Sequence, residues 1–368
     1  MTFIKYIYYY ENVFIIKLIE RQISNKMREK QDYTLPKKGP TMKDVAKKAG
    51  VSLSTVSRSI NSPHELKQET LMVVRKAMKE LNFSANEIAR SLKNRKSQTI
   101  GIIIPNILNP FFARIVRSAE HYLFENKYTP IIYDSEEDAV KEEKYLQSLL
   151  ERRVDGVLFV PSKENKRIPE FIKQKSIPTV FIDRYFSKDF DFVKGNNYSG
   201  IALIISFLVS RGYEKIGMIA GSQETVSGKE RYLAFLKAIT MHNLKVEKKY
   251  VKFGSYSIES GYFRMNELLN TGEYPEVIIS ANNFIGIGAF QAIKERGYKI
   301  PDDIGIVIYD EVYLADFVDP PLTVVVQPAE ELGRSAAELL LERIDSQGIL
   351  PPRELVIEPK LIVRNSTK

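Results

Sequence analysis

The chain has 368 residues, of which 44% are hydrophobic, and its 54 Lys and Arg outnumber its 46 Asp and Glu to give a formal net charge of +8. This length allows two or three domains with buried cores. The absence of Cys excludes a disulfide framework and any thiolate metal site, and it suits a reducing cytoplasm. We expect neither a metal nor a cofactor.

Residues 1–40 begin with an apolar, aromatic run, MTFIKYIYYYENVFIIKLIERQ. A signal peptide or membrane anchor is disfavoured, because Lys5 and Glu11 interrupt the run and no small-residue cleavage site follows. Two explanations remain for this extension. It is either a disordered arm or upstream sequence that is not translated, with the true start at Met27 or Met42.

Residues 41–83 have the pattern of three short helices. Thr41 with Asp44 fits a capping box, which predicts a first helix to about Lys48. Gly50 then ends that helix. A second helix begins directly afterwards, so a tight, glycine-containing turn joins the two.

The second helix is predicted over Leu53–Asn61 with Ser52 as its cap, and the third over Gln68–Leu81. Two helices joined in this way form a helix-turn-helix, which places its second helix in the major groove of DNA. The side chains expected to face the core are Val56, Ile60, Leu71, Val74, Met78 and Leu81. Those of the second helix that face outward and can contact bases are Leu53, Ser54, Thr55 and Arg58.

Charge favours DNA binding over a plain three-helix bundle. Residues 41–98 carry 12 Lys and Arg against 5 Asp and Glu, and residues 1–40 carry 8 against 4. The rest of the chain carries 34 against 37, so the positive excess lies entirely in about the first quarter. A basic head on a mildly acidic body is typical of a protein that neutralises phosphates through one domain.

Residues 84–98 contain a further short helical signal. Ser84 with Glu87 fits a capping box, and the residues that follow allow about two turns of helix. Isolated helices of fewer than about 12 residues rarely persist in water. We therefore expect this helix to become ordered only when something holds it.

After Gln98, short apolar runs alternate with helical segments. This alternation indicates parallel sheets with helices on both faces, and about 260 residues is long for a single sheet, so two lobes are expected. The predicted strands are Thr99–Pro105, Thr129–Asp134, Val154–Pro161, Pro178–Asp183, Lys215–Ala220, Val277–Ala281, Ile304–Tyr309 and Thr323–Val326. The predicted helices include Ala113–Asn126, Glu137–Arg152, Ser199–Arg211, Lys229–His242, Ser257–Asn270 and Ile285–Arg296.

Several motifs resemble the lactose-repressor and galactose-repressor family of bacterial transcription regulators: TMKDVAKKAGVSLSTVSRSIN, NEIARSLKNRKSQTIGIIIPNILNPFF, VDGVLFVPS, IPTVFIDR, PDDIGIVIYDE, PPLTVVVQP and LIVRNSTK. The resemblance extends from Thr41 to the last residue. It implies an N-terminal all-α helix-turn-helix DNA-binding domain and an α/β two-lobed effector domain of the periplasmic-binding-protein-like type I fold. The implied ranges are 41–83 for the DNA-binding domain, 84–98 for a hinge helix and linker, and 99–368 for an effector-binding and dimerisation domain. Its N-lobe is expected at about 99–196 and 327–350, and its C-lobe at about 197–326 and 351–368.

For DNA, the resemblance implies a hinge helix that forms on the operator and pairs with its twin from the other subunit. Leu92 is expected to wedge into the minor groove and kink the duplex, with Arg90 and Lys93 beside it. The alternative is that Leu92 packs on the body of the protein. The complete predicted DNA-binding set is Thr41, Ser52, Leu53, Ser54, Thr55, Arg58, Asn61, Asn86, Ala89, Arg90, Leu92 and Lys93.

For the effector, the resemblance implies a cleft between the lobes. Phe112 is expected to stack on the ligand, Arg231 to bind it and Tyr256 to close the pocket. The pair Asp183–Arg184 is expected to bind hydroxyls, as in sugar-binding relatives. The complete predicted set is Phe111, Phe112, Asp183, Arg184, Arg231, Tyr256, Asn283 and Asp310. Taken singly, these residues also fit core phenylalanines, a surface ion pair and a charge on a helix face.

Asn283 stands where relatives usually carry an Asp that grips ligand hydroxyls. Loss of this carboxylate beside Arg184 and Arg231 predicts a more positive cleft. The effector is then an anion such as a sugar acid or sugar phosphate, because an Arg fork matches a carboxylate or phosphate.

The predicted function is that of a cytoplasmic, sequence-specific transcriptional regulator. As a homodimer on a pseudo-palindromic operator, it would repress carbohydrate catabolism genes under the control of a sugar-like effector. One alternative is a purine- or nucleoside-responsive or corepressor-dependent regulator, and another is a solute-binding protein. An enzyme is disfavoured, because the chain has only three His and none pairs with a Cys or forms a known metal or nucleotide motif.

Overall fold

The computed structural model describes residues 40–83, 96–312, 315–346 and 350–368, except for the side chain of Asn61. The chain forms two compact units, which divide between Lys93 and Asn94. Within the described ranges, no helix is both long and apolar enough to cross a lipid bilayer.

The described part of the first unit is three helices around a small core. The core is built on Val45, Val56 and Val74, which are fully buried. One turn of 3-10 helix, Pro63–Glu65, follows the second helix. The helices are α1 Met42–Ala49, α2 Leu53–Asn61 and α3 Gln68–Glu80.

The helix ends of this unit have the predicted caps. The backbone N–H of Thr41 donates to Asp44 Oδ2 at 2.7 Å, which completes the capping box of α1. Gly50 ends α1 in the left-handed region at φ 66°, where glycine is favoured. Ser52 Oγ accepts from the backbone N–H of Thr55 at 3.1 Å and caps α2. The three predicted helices are thus confirmed to within one residue at the ends.

The second unit contains two lobes, each built on a six-stranded sheet. The first sheet is parallel throughout, and its strands are β1 Thr99–Ile104, β2 Thr129–Asp134, β3 Gly156–Phe159, β4 Thr179–Ile182, β5 Asp191–Gly195 and β11 Glu354–Ile357. Their order across the sheet is β11-β5-β4-β3-β1-β2. The helices of this lobe are α4 Pro110–Glu125, α5 Ala139–Glu151, α6 Arg167–Lys175 and α11 Ala329–Asp345.

The second sheet has the same architecture with one reversed strand. Its strands are β6 Ile216–Ala220, β7 Val251–Phe253, β8 Val277–Ser280, β9 Gly305–Tyr309, β10 Thr323–Val326 and β12 Lys360–Ile362. The order across the sheet is β12-β10-β9-β8-β6-β7, and only β12 runs antiparallel to its described neighbour. The helices are α7 Asn197–Ser210, α8 Val226–Met241, α9 Ile258–Leu269 and α10 Asn283–Glu295.

The chain crosses between the lobes three times in the described residues: from β5 to α7, from β10 to α11, and from β11 to β12. The last crossing corrects one predicted boundary. Residues 351–368 were all expected in the C-lobe, but β11 pairs with β5 of the first sheet, and only β12 joins the second. The predicted boundary was wrong because a four-residue edge strand shows no sheet preference in its own sequence.

The central strands carry buried β-branched side chains on both faces, as expected for sheets covered by helices on both sides. In the first sheet, Ile102 and Ile104 belong to one core cluster, and Ile103, between them, belongs to the cluster on the opposite face. These buried strands were found from the sequence. Four others, β5, β7, β11 and β12, were not predicted.

Candidate DNA-binding surface and interlobe cleft

The outward face of α2 is polar and accessible. Leu53, Ser54 and Arg58 are exposed, and Thr55 is half-buried. Ser52 Oγ lies 2.7 Å from Ser54 Oγ and 2.8 Å from Thr55 Oγ1, so three hydroxyls cluster at the start of this helix. Such groups can exchange their mutual hydrogen bonds for bonds to phosphates or base edges.

The remaining predicted DNA contacts are placed only in part. Thr41 is exposed at the start of α1, and Asn61 is the last residue of α2. The hinge residues lie outside the described part of the chain, so their DNA contacts remain predictions. They are Asn86, Ala89, Arg90, Leu92 and Lys93.

In the second unit, polar and aromatic side chains from both lobes line an interlobe cleft. They follow the carboxyl ends of the strands, where ligands of open α/β sheets bind. Seven of the eight residues predicted for the effector lie here: Phe111, Phe112, Asp183, Arg184, Arg231, Tyr256 and Asp310. The lining also contains six residues that were not predicted: Asn106, Asn109, Glu137, Ser227, Asn282 and Phe284.

Arg184 of the first lobe is held on several sides. Its NH1 donates to Glu137 Oε2 at 2.9 Å and its NH2 to Glu137 Oε1 at 3.2 Å. NH1 also lies 3.2 Å from the carbonyl oxygens of Pro161 and Ser162. The guanidinium carbon is 5.1 Å from the ring centre of Tyr256, which belongs to the other lobe.

Arg231 of the second lobe is equally constrained. Its Nε donates to Asn197 Oδ1 at 2.8 Å, and its NH1 donates to the carbonyl of Ala281 at 2.6 Å. NH1 also lies 3.5 Å from Asp310 Oδ2. The guanidinium carbon is 4.0 Å from the ring centre of Tyr309, a cation–π distance.

The two aspartates of the cleft share an unusual backbone. Asp183 follows β4 and Asp310 follows β9, and both occupy the left-handed region, at φ 63° and 70°. Non-glycine residues held there are strained, and such residues cluster at functional sites. Burial raises the pKa of Asp183 to about 6, although the charges of Arg231 and Arg184 oppose this effect. Burial likewise raises the pKa of Asp310.

Two buried polar atoms in this lining have no hydrogen-bond partner in the described structure, Asp183 Oδ1 and Arg184 Nε. A buried polar atom without a partner is costly. The first can accept a hydrogen bond and the second can donate one. A ligand group that both donates and accepts, such as a hydroxyl, can satisfy both.

The sequence predicted a more positive cleft, but the described lining has no positive excess that would favour an anionic effector. Three carboxylates line it, Glu137, Asp183 and Asp310, against the guanidiniums of Arg184 and Arg231. Both guanidiniums are already within ion-pair distance of these carboxylates. The absence of a carboxylate at position 283 therefore leaves no uncompensated positive charge here, because Glu137 and Asp310 balance the two arginines.

Asn283 is the predicted effector residue that does not belong to the lining. Its side chain instead bonds to Asn109, while Asn282 before it and Phe284 after it face the cleft. Asn282 and Glu137 could have been found from the sequence, because each closely follows the end of a predicted strand. The contact between Asn109 and Asn283 has no local signal, since 174 residues separate the two.

Comparison with known proteins agrees with both units. Residues 41–86 match the model of bacterial regulatory proteins of the lacI family, and residues 205–367 match the model of a periplasmic binding protein-like domain. The HTH-type transcriptional repressor PurR of Mannheimia succiniciproducens is 35% identical over 331 residues, 89% of this chain and 98% of that protein. PurR of Pectobacterium carotovorum is 37% identical over 333 residues, 89% of this chain and 96% of the relative.

Solved structures of regulators also match most of the chain. The lac repressor dimer bound to operator and the anti-inducer ONPF superposes with a TM-score of 0.81 at 26% identity, covering 90% of this chain and 99% of the other. The complex of the transcriptional regulator CelR with cellobiose gives a TM-score of 0.69 at 28% identity, with coverages of 89% and 99%. PurR and the lac repressor are transcriptional repressors and not enzymes, which confirms the prediction that this chain is not an enzyme. The chain belongs to the lacI family of bacterial regulatory proteins and is a DNA-binding transcriptional repressor.

Proposed function

We propose that this repressor binds its operator as a homodimer and that a small, neutral, hydroxyl-rich molecule of the sugar class controls this binding from the interlobe cleft. The observation that carries the proposal is a pair of buried atoms that have no hydrogen-bond partner in the described structure, Asp183 Oδ1 and Arg184 Nε, the second of which lies 3.6 Å from Asp183 Oδ2. One hydroxyl donates to the carboxylate, and a neighbouring hydroxyl accepts from the guanidinium. Phe112 offers the apolar ring that packs on a sugar's C–H face.

The charge balance favours a neutral ligand over the sugar acid or sugar phosphate predicted from the sequence. An anion would have to displace Glu137 from Arg184 or Asp310 from Arg231. Either exchange would leave a displaced carboxylate beside the incoming anion. Like charges in a buried site are unfavourable, so a neutral hydroxyl ligand is the better match.

A purine or nucleoside is the second candidate, because several relatives that are 35–37% identical to this chain are repressors named PurR. Binding of a purine base would require Arg184 to move. The guanidinium of Arg184 lies between the rings of Tyr256 and Phe112, at 5.1 and 5.8 Å from their centres. A base stacked between these rings would have to move Arg184 away from Glu137.

On DNA, we infer that α2 of each subunit enters a major groove, so that two half-sites lie about one helical turn apart. The likeness to an operator-bound lac repressor dimer supports this arrangement. We infer that the regulated genes serve carbohydrate catabolism and that the protein acts in the cytoplasm. The sugar is inferred to be an inducer, which lowers the affinity of the repressor for its operator. Coupling between the two sites is expected to be about 1–3 kcal/mol.

A ligand screen tests the effector class. Full-length protein is melted in the presence of neutral mono- and disaccharides, sugar acids, sugar phosphates and purines, each at the same concentration and ionic strength. We expect a neutral sugar to raise the melting temperature and to weaken binding to an operator selected from random DNA. A response to sugar anions or purines alone would overturn the neutral-sugar assignment.

A further inference from the structure

A pair of asparagines joins the two lobes. Asn109 Nδ2 donates to Asn283 Oδ1 at 3.2 Å, and Asn283 Nδ2 donates to Asn109 Oδ1 at 2.9 Å. Asn109 caps α4 in the first lobe, and Asn283 is the first residue of α10 in the second. Both side chains are buried, with 5% and 1% of their surface exposed.

The carbonyl oxygen of each amide in this pair is fully engaged. Asn109 Oδ1 also accepts from the backbone N–H of Phe111 at 3.0 Å, and Asn283 Oδ1 accepts from that of Phe284 at 2.8 Å. Each carbonyl oxygen thus accepts two hydrogen bonds, its normal capacity. Neither side chain keeps a free acceptor for a ligand.

We propose that the Asn109–Asn283 pair is a latch that holds the lobes together before any effector is bound. Asn283 is then a positioning residue whose acceptor oxygen is not available to an effector. By closing the lobes, the pair brings Asp183 and Arg184 of one lobe against Arg231 and Asp310 of the other. The latch acts on the cleft of the proposed function, but it does not depend on which effector binds there.

An ion pair between the lobes is also largely buried: Lys194 at the end of β5 pairs with Glu230 of α8, with 10% and 13% of the two side chains exposed. Other contacts across the cleft are more exposed than the asparagine pair. Lys229 pairs with Glu164 at its rim, where 44% and 67% of the two side chains are exposed to water. Such pairs contribute little, because water and salt screen them. The backbone N–H of Glu164 donates to the carbonyl of Glu224 at 3.1 Å beside them. The buried amide pair therefore carries a larger share of the closure than the exposed ion pair, since loss of one partner strands buried polar groups.

The chemistry of the pair requires an amide at position 283. An aspartate has no donor, so one of the two hydrogen bonds would be lost. Its second oxygen would then face Asn109 Oδ1, which is also an acceptor. Asn283→Asp should therefore open the lobes while barely changing the size of the side chain.

Distance measurement in the full chain tests the latch. Because the chain has no Cys, the changes Lys175→Cys on α6 and Lys237→Cys on α8 give one exposed spin-label site on each lobe. Labelled chains are mixed with an excess of unlabelled protein so that any dimer carries at most one labelled subunit. Interlobe distances are then recorded by pulsed electron spin resonance without effector or DNA.

We expect Asn283→Asp to shift the open-to-closed ratio roughly tenfold toward longer distances. Asn270→Asp, the same change at an exposed position of the same lobe, should leave the distances as in the parent. Asn109→Ser keeps an N-cap acceptor for α4 but removes the amide donor, so it should open the lobes even if Asn283→Asp proves unstable. Distances that stay unchanged in the folded Asn109→Ser or Asn283→Asp protein would overturn the proposal.

Discussion

Arg184 and Glu137 form a two-pronged ion pair, with N–O distances of 2.9 and 3.2 Å, at the edge of the interlobe cleft. Arg184 is buried, whereas a third of the Glu137 side chain is exposed. The guanidinium carbon also lies over the rings of Phe112 and Tyr256, at 5.8 and 5.1 Å from their centres. The first lobe thereby holds a cation in place before any ligand arrives.

Glu137→Ala should destabilise the protein, because it removes the main partner of a buried guanidinium. We expect the free energy of unfolding to fall by about 1–3 kcal/mol in urea titrations. Glu136→Ala is the matched control, since Glu136 pairs with Lys141 at the surface, where ion pairs contribute about 0–1 kcal/mol. Equal losses for the two variants would show that Arg184 does not need Glu137.

Glu142→Gln should alter how stability depends on pH. Burial raises the pKa of Glu142 to about 7 from its usual 4.5. A hydrogen bond from the backbone N–H of Ser162 lowers this pKa, but its effect is smaller than that of burial. The folded state therefore binds the proton more tightly than the unfolded chain does. The stability from this group is fully present below about pH 4.5 and is lost as the pH rises through 7.

Glutamine resembles the protonated acid at every pH. The stability of Glu142→Gln relative to the parent should therefore rise by something on the order of 3 kcal/mol between about pH 4.5 and pH 8. Chemical denaturation at a series of pH values measures this difference. A stability difference between variant and parent that stays constant over this pH range would show that Glu142 has the same pKa in the folded and unfolded chain.

Arg58→Ala should weaken binding to the operator more than binding to random DNA. Arg58 is exposed on α2, the helix inferred to enter the major groove. If its guanidinium contacts a base edge, the loss should be about 1–3 kcal/mol on the operator alone. Fluorescence anisotropy on both DNAs gives the two values, with Arg75→Ala on α3 as the control. Equal losses on both DNAs would reassign Arg58 to a phosphate contact.

Arg231→Lys should abolish the response to the effector while leaving operator binding intact. Lysine keeps the charge beside Asp310 but lacks the planar fork that bonds Asn197 and Ala281. Calorimetry with the effector and anisotropy with the operator separate the two activities. Lys237→Ala, at an exposed position of the same helix, should keep both. A variant that still responds fully to effector would remove Arg231 from the binding site.

The architecture was predictable from the sequence wherever the signal is local. The caps of α1 and α2 are set by residues within four positions of each helix start, and the eight strands with continuous apolar runs were all found. Strand β5 was missed because Asp191 and Lys194 interrupt its apolar pattern. Asp191 is nevertheless buried, since Arg343, 152 residues away, pairs with it at 2.7 Å.

In the cleft, too, only features with a local sequence signal were predictable. Family motifs located seven of its lining residues, but the paired state of Arg184 and Arg231 depends on carboxylates from distant segments. The sign of the cleft's charge was therefore not predictable from the substitution at Asn283. That residue bonds across the lobes, a contact that only the folded chain brings about.

Control of operator affinity by a ligand in the interlobe cleft can be tested directly. The most direct test is to measure binding of the full chain to its selected operator by anisotropy, at fixed salt, with and without the neutral sugar that raises the melting temperature. We predict a change in operator dissociation constant of about 5- to 150-fold, which Arg231→Lys removes. A sugar that stabilises the protein yet leaves operator affinity unchanged would contradict the account.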